Sequence, residues 1–126
     1  MNYTCPVCGY KTFKEPPGSY DTCVLCGWED DLSQLRFPET KGANNVTLID
    51  AQKNFKKIGY STYNFLVRLV SKKNSKNYKK DLEWRPLSDQ IDYERPKPGV
   101  DYGIKYPEDL TKLYYWKNIN NKDIHG

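Results

Sequence analysis

The chain has 126 residues with a formal net charge of +4, and its aromatic content is high, with eleven Tyr, three Trp and four Phe. That length suits one domain, or a small module with an extension, and its longest apolar stretch, Phe65–Val70, is broken by Arg68, far short of the roughly 20 apolar residues of a membrane helix. Charge is uneven: residues 1–46 carry a net −2, 47–86 a net +7 and 87–126 a net −1, so the basic block lies away from all four cysteines.

The opening MNYTCPVC offers neither a charged leader region nor an apolar one, and a cytoplasmic protein is expected, with no leader and no membrane segment. In that compartment Cys-x-x-Cys pairs are metal ligands or redox pairs rather than structural disulfides. Cys5, Cys8, Cys23 and Cys26 form C-x2-C-x14-C-x2-C, the spacing of a tetrahedral all-thiolate zinc site. Two residues between ligands let one tight turn aim both sulfurs at one ion. Gly9 and Gly27 follow the second cysteine of each pair and tolerate the positive φ such a turn needs. Pro6 fixes the entry to the first knuckle.

Between the knuckles, Tyr10–Phe13 is β-prone, Pro17-Gly18 is in type II turn order, and Tyr20–Thr22 leads back to Cys23. The expectation is a β-hairpin linking two knuckles, a zinc ribbon over residues 1–46. A redox pair would need a βαβ context that the sequence does not show, and a rubredoxin-like iron site uses similar knuckles with a longer segment between them. Four protein thiolates fill the coordination sphere, so one structural Zn²⁺ is expected, with no open position for water or substrate. The ion and its thiolates together carry about −2, which makes the ribbon acidic and a poor match to a phosphate backbone.

Beyond Cys26, Asp30 or Asp31 can cap a short helical turn. The triplet Glu29-Asp30-Asp31 beside Trp28 has two readings: an acidic patch that docks a basic partner, or a cap with Trp28 shielding the metal. Thr47 and Asp50 resemble a capping box, Leu48, Ala51, Phe55 and Ile58 share a helical face, and Gly59 is a stop signal. Ser61–Val70 is expected to form a second helix, though Phe65, Val67 and Leu69 alternate as in a strand. Lys72, Lys73, Lys76, Lys79 and Lys80 surround Tyr78, a pattern of a solvated loop or of a nucleic-acid contact. The proline-rich segment Pro86–Gly103 reads as an extended connection. Pro107, Glu108 and Asp109 then open a predicted helix carrying Leu110, Leu113, Tyr114, Tyr115 and Trp116, either core or an aromatic binding surface. His125 is the only histidine, and HExxH, GxGxxG, a phosphate-binding glycine loop and a nucleophile elbow are all missing. No catalytic residue is expected.

Taken together, CPVCGYKTF…GSYDTCVLCGWEDD followed by GANNVTLIDAQKNFKKIG resembles the bacterial cysteine-rich CPCC family. The matching positions are Cys5, Pro6, Cys8, Gly9 and Tyr10, then Gly18, Ser19, Tyr20, Cys23, Cys26 and Trp28 to Asp31, then Gly42, Ala43, Asn44, Asn54 and Phe55. Val7 departs from the pattern, standing where the family name implies a further cysteine; this removes a spare thiol and leaves the four ligands intact. The resemblance spans residues 3–60 and implies a small stand-alone zinc-ribbon-like protein. Some such proteins lie near bacterial toxin loci, where an immunity role is natural. The expected architecture is α+β, a zinc ribbon packed as one compact unit on a mostly helical part over 47–126. The expected function is a zinc-stabilised protein-binding module, concretely a toxin-neutralising immunity protein, docking through Trp28, Glu29, Asp30, Asp31, Tyr114, Tyr115 and Trp116. The alternative is a nucleic-acid-binding ribbon that uses the basic segment 72–85.

Overall fold

In the computed structural model of the chain, residues 2–64, 75–88 and 106–117 are described. Strands β1 (Tyr3–Thr4) and β2 (Lys11–Phe13) precede helices α1 (Leu32–Arg36) and α2 (Leu48–Ile58), and three short 3-10 turns follow at Ser75–Asn77, Leu110–Leu113 and Tyr115–Lys117. Among these residues no helix is long and apolar enough to cross a membrane. Phe65–Val70, Lys72, Lys73, residues 89–105 of the proline-rich connection, and His125 lie outside the described residues.

Each cysteine pair forms the tip of its own small hairpin. β1 and β2 run antiparallel with Tyr3 opposite Phe13 and Thr4 opposite Lys11, and the chain reverses through Cys5–Gly9. At the second pair Thr22 bridges Glu29, and the reversal runs through Cys23–Gly27. The backbone bonds repeat: Gly9 N–H to Cys5 O at 2.9 Å and Gly27 N–H to Cys23 O at 2.9 Å. Gly9 (φ +78°) and Gly27 (φ +85°) adopt the left-handed conformation their positions demand. This corrects the expected linking hairpin, because β2 pairs backward across the first knuckle and not forward with Tyr20–Thr22. A knuckle that closes an i to i+4 bond already reverses the chain, so the nearest antiparallel partner is the strand that entered it. The stretch between the knuckles is also ill-suited to a ladder, since Pro16 and Pro17 lack amide donors and Tyr20 sits at φ +62°. A distant segment completes the first hairpin instead: Tyr10 bridges Lys80, Lys11 N–H reaches Lys79 O at 2.9 Å, and Asp81 N–H reaches Gly9 O at 2.8 Å.

α2 forms where the apolar periodicity put it. The Thr47 hydroxyl accepts from Asp50 N–H at 3.0 Å, and Gly59, at φ +77°, ends the helix with its N–H on Phe55 O. Leu48 and Ala51 are fully buried, and Phe55 packs against the same cluster. Ser61–Asn64, the described start of the second expected helix, is not helical. The helix expected from Pro107 is likewise replaced by two 3-10 turns that break at Tyr114 (ψ 108°). Tyr114, Tyr115 and Trp116 are only 2–3 % exposed, and three consecutive residues, about 100° apart around an α-helix, cannot share one face of it. The break turns all three inward. Trp116 stacks on Tyr114 at 4.5 Å and meets Tyr115 edge-on at 4.9 Å. These aromatics are core, so the aromatic docking surface is withdrawn, and the described part after residue 47 is one α-helix with short turns rather than mostly helical. Both halves of the chain contribute to one buried cluster around the cysteines, with Val7, Leu25, Trp28 and Leu35 joined by Leu48, Ala51 and Trp116.

The acidic triplet is also turned inward. Asp30 and Asp31 are each 4 % exposed and Trp28 is fully buried, so these three do not form a surface patch, while the half-buried Glu29 works through its backbone. Asp30 Oδ2 accepts from Ser19 N–H and its hydroxyl at 3.2 and 2.8 Å. Asp31 caps α1 by accepting from Ser33 N–H at 2.9 Å, and its other oxygen accepts from Ala43 N–H at 3.0 Å. Asn44 brackets Glu29, accepting from its N–H at 2.6 Å and donating to its carbonyl at 2.8 Å. Gln34, fully buried, donates to Thr40 O and Val46 O at 2.9 and 2.7 Å. The Gly-Ser-Tyr and Gly-Ala-Asn stretches are therefore the hydrogen-bonding counterparts of the Glu-Asp-Asp run. They tie the loops before and after the second knuckle to it.

Two predictions follow from this framework. A methyl group at Gly9 would lie 2.7 Å from the Trp84 ring at a φ of +78°, so Gly9→Ala is expected to cost about 2 kcal/mol or more, read as a drop in the urea midpoint. Burial works to raise the Asp31 carboxyl, but hydrogen bonds from Ala43, Ser33 and Gln34 outweigh it and hold the group below its ordinary value of 3.8. A depressed folded-state value contributes stability above pH 4 or so that is lost as pH falls through it. Asp31→Asn should flatten that acid limb of a stability-versus-pH curve measured by denaturant titration.

Candidate metal centre

The four sulfurs converge within 4.8 Å of one another. The short edges run between knuckles, Cys5 to Cys26 at 3.7 Å and Cys8 to Cys23 at 3.8 Å. A tetrahedron with metal–sulfur bonds of about 2.3 Å has edges of about 3.8 Å, so these sulfurs fit a single ion. Disulfide sulfurs sit near 2.05 Å, and all four cysteines are free and completely buried.

Protein groups act on the thiols in opposite directions. Burial pushes the Cys5 and Cys26 thiols well above their ordinary value. Hydrogen bonds from Cys26, Cys5 and Cys8 pull Cys23 well below its own, and the Thr12 hydroxyl adds a donor to the Cys23 sulfur at 3.2 Å. Protein groups alone thus favour charge on Cys23 and oppose it on Cys5 and Cys26. A divalent cation would make thiolate the preferred form at every corner. All four donors are cysteine sulfurs and all are completely buried, a set that would leave a bound ion no open position. Such a centre can brace the fold.

Around the sulfurs, the knuckle carbonyls are claimed by side chains from far along the chain. Pro6 O accepts from Gln52 Nε2 at 2.9 Å and from Trp84 Nε1 at 3.0 Å, and Cys8 O accepts from Lys80 Nζ at 2.8 Å. The Lys80 ammonium also lies 4.6 Å from the Trp84 ring and 4.8 Å from that of Tyr10. On the other knuckle Cys26 O accepts from Ser61 N–H at 2.8 Å, and Asn54 Nδ2 holds Ser61 O at 2.9 Å. Gln52 continues inward, donating to the Tyr115 hydroxyl at 3.0 Å and accepting from Leu87 N–H at 2.9 Å.

Of the lysines considered for nucleic acid, Lys76, Lys79 and Lys80 are exposed, and the Lys80 ammonium also donates to the Cys8 carbonyl at 2.8 Å. Gln52, Asn54, Ser61 and Trp84 were not anticipated as supports of the site. Gln52 carried a readable signal, since it falls four residues after Leu48 on the apolar face of α2, where an amide must find buried partners. Trp84 and Ser61 carried none.

No curated protein and no solved structure matches the chain. A family model described as Cysteine-rich CPCC matches residues 3–77. That span holds both knuckles, the loops stapled to the acidic triplet and the whole of α2, and Val7, in place of a further cysteine, is fully buried apolar packing. With its four sulfurs gathered as one ligand set and well over half its length matched, the chain belongs to the cysteine-rich CPCC family.

Proposed function

We propose that this protein is a zinc-stapled, non-catalytic binding protein that acts by docking another protein in the cytoplasm, concretely a cognate bacterial toxin that it neutralises. The observation that carries the reading is the sealed tetrathiolate: a metal enclosed by four buried cysteines supplies folding free energy and no chemistry. Zinc is preferred over iron because the short 14-residue segment between the pairs matches zinc knuckles. Recognition then falls to the surface. With the earlier aromatic candidates buried, the large hydrophobic side chains exposed among the described residues are Tyr20 and Tyr63, each 57 % exposed, and Leu82, 93 % exposed. Exposed Tyr is a rigid anchor in protein interfaces.

Metal analysis of the purified protein should give one zinc per chain, and a strong chelator should unfold it, seen as loss of near-ultraviolet circular dichroism. A reddish protein containing iron would replace zinc in this reading. The neighbouring gene's product should kill when expressed alone, be neutralised on co-expression, and form a complex weakened at least about tenfold by Tyr20→Ala. A harmless product, or killing that persists, would remove the immunity reading. Binding to nucleic acid that falls steeply with salt would favour the basic segment instead.

A further inference from the structure

The two knuckles are closed in different ways. The second is covered by its neighbours, with Trp28 fully buried beside it and Ser61 N–H on Cys26 O. The first is closed by a short piece of chain from the far side of the sequence: Lys80 on Cys8 O across 72 positions and Trp84 on Pro6 O across 78. Asp81 N–H takes Gly9 O, between those two contacts. The Trp84 ring lies so close over Gly9 that not even a methyl group fits between them. Lys80 is mostly exposed, yet its ammonium is pinned between two rings and a ligand's carbonyl. Asp81 anchors the segment, its carboxylate accepting from the Thr4 hydroxyl at 2.7 Å and Trp116 Nε1 at 3.2 Å. The family match ends at residue 77, so this closure lies outside the stretch that defines the family.

We propose that residues 79–84 are a clasp that controls metal exchange at the first knuckle, with Lys80 and Trp84 as its positioning residues. The inference rests on the metal reading above. Two physical effects combine in it. A tetrathiolate around a divalent cation carries two excess negative charges, and the Lys80 ammonium adds a fixed opposite charge one carbonyl away from a ligand. Trp84 packs its ring over Gly9, the residue after Cys8, and its indole N–H holds the carbonyl of the residue following Cys5. Partners of metal ligands placed this way set how tightly the ligands are held. Metal leaves only when the clasp lifts, and it can lift without unfolding α2 or the second knuckle.

The test uses the full chain loaded with Co²⁺, whose visible bands report the tetrahedral thiolate site, and follows transfer of the metal to excess chelator. Global unfolding is measured in parallel by tryptophan fluorescence. Lys80→Met is expected to release cobalt about ten- to hundredfold faster than the parent chain, with the bands unchanged at the start. Lys80→Arg should restore slow release, Trp84→Phe, which keeps a ring and removes the N–H donor, should speed it, and Lys53→Gln, exposed on α2 and outside the clasp, should leave it unchanged. Parent-like rates in both Lys80→Met and Trp84→Phe would overturn the clasp, as would release that keeps pace with global unfolding in every variant. If Lys80→Met fails to take up metal, Trp84→Phe and Lys80→Arg decide the matter in the same assay. A parent chain that binds no metal defeats the metal reading itself, whereas one ion per chain with unaltered release in the variants defeats only the clasp.

Discussion

Four buried sulfur donors within 4.8 Å of one another can all be thiolates only if a cation joins them, because thiolates crowded in a dry interior repel and lack solvation. That one requirement organises the molecule. It brings together two turns 15 residues apart, and it makes the cysteines the centre of the hydrophobic cluster rather than its edge. The strands are two and three residues long, too short to hold a sheet by themselves. A metal-centred core would suit the described residues, whose regular secondary structure is sparse.

Around that centre, polar groups do work that a larger protein would leave to apolar packing. Asp30, Asp31 and Asn44 tie three loops to the backbone near the second knuckle, and Gln52 and Lys80 do the same for carbonyls of the first. Each is a side chain that meets backbone groups no helix or sheet is available to satisfy. The charge consequence is distinctive. Asp30 and Asp31 lie inside, where burial raises the first above its ordinary value and hydrogen bonds depress the second below it. Two of the six acidic side chains of residues 1–46 are therefore turned inward, while Glu15, Asp21 and Glu39 stay exposed.

The errors of sequence reading share a cause. Glu29-Asp30-Asp31 and Tyr114-Tyr115-Trp116 each leave a surface and an inward reading open, because runs of charge or aromatic residues have no periodicity to assign them a side. Asp31 caps α1, in agreement with one of the two readings, and only the positions of Ser19 and Ala43 in space show how both aspartates are held inward. Only the break at Tyr114 lets three consecutive rings face one core. The misplaced hairpin has a related origin, since β-propensity at Tyr10–Phe13 marks a strand without saying which neighbour it pairs with.

Some properties were settled by the chain of residues alone. The ligand set, the two left-handed glycines and the bounds of α2 follow from local chemistry: a metal knuckle, a positive φ and a capped amphipathic turn each need particular residues at fixed short spacings. What depended on the tertiary structure was every contact spanning tens of residues, from the pairing of β2 to the closure of the first knuckle by Lys80 and Trp84. Nothing in sequence spacing encodes those contacts, because they are selected by shape and by which buried carbonyls remain to be satisfied once the cysteines have gathered.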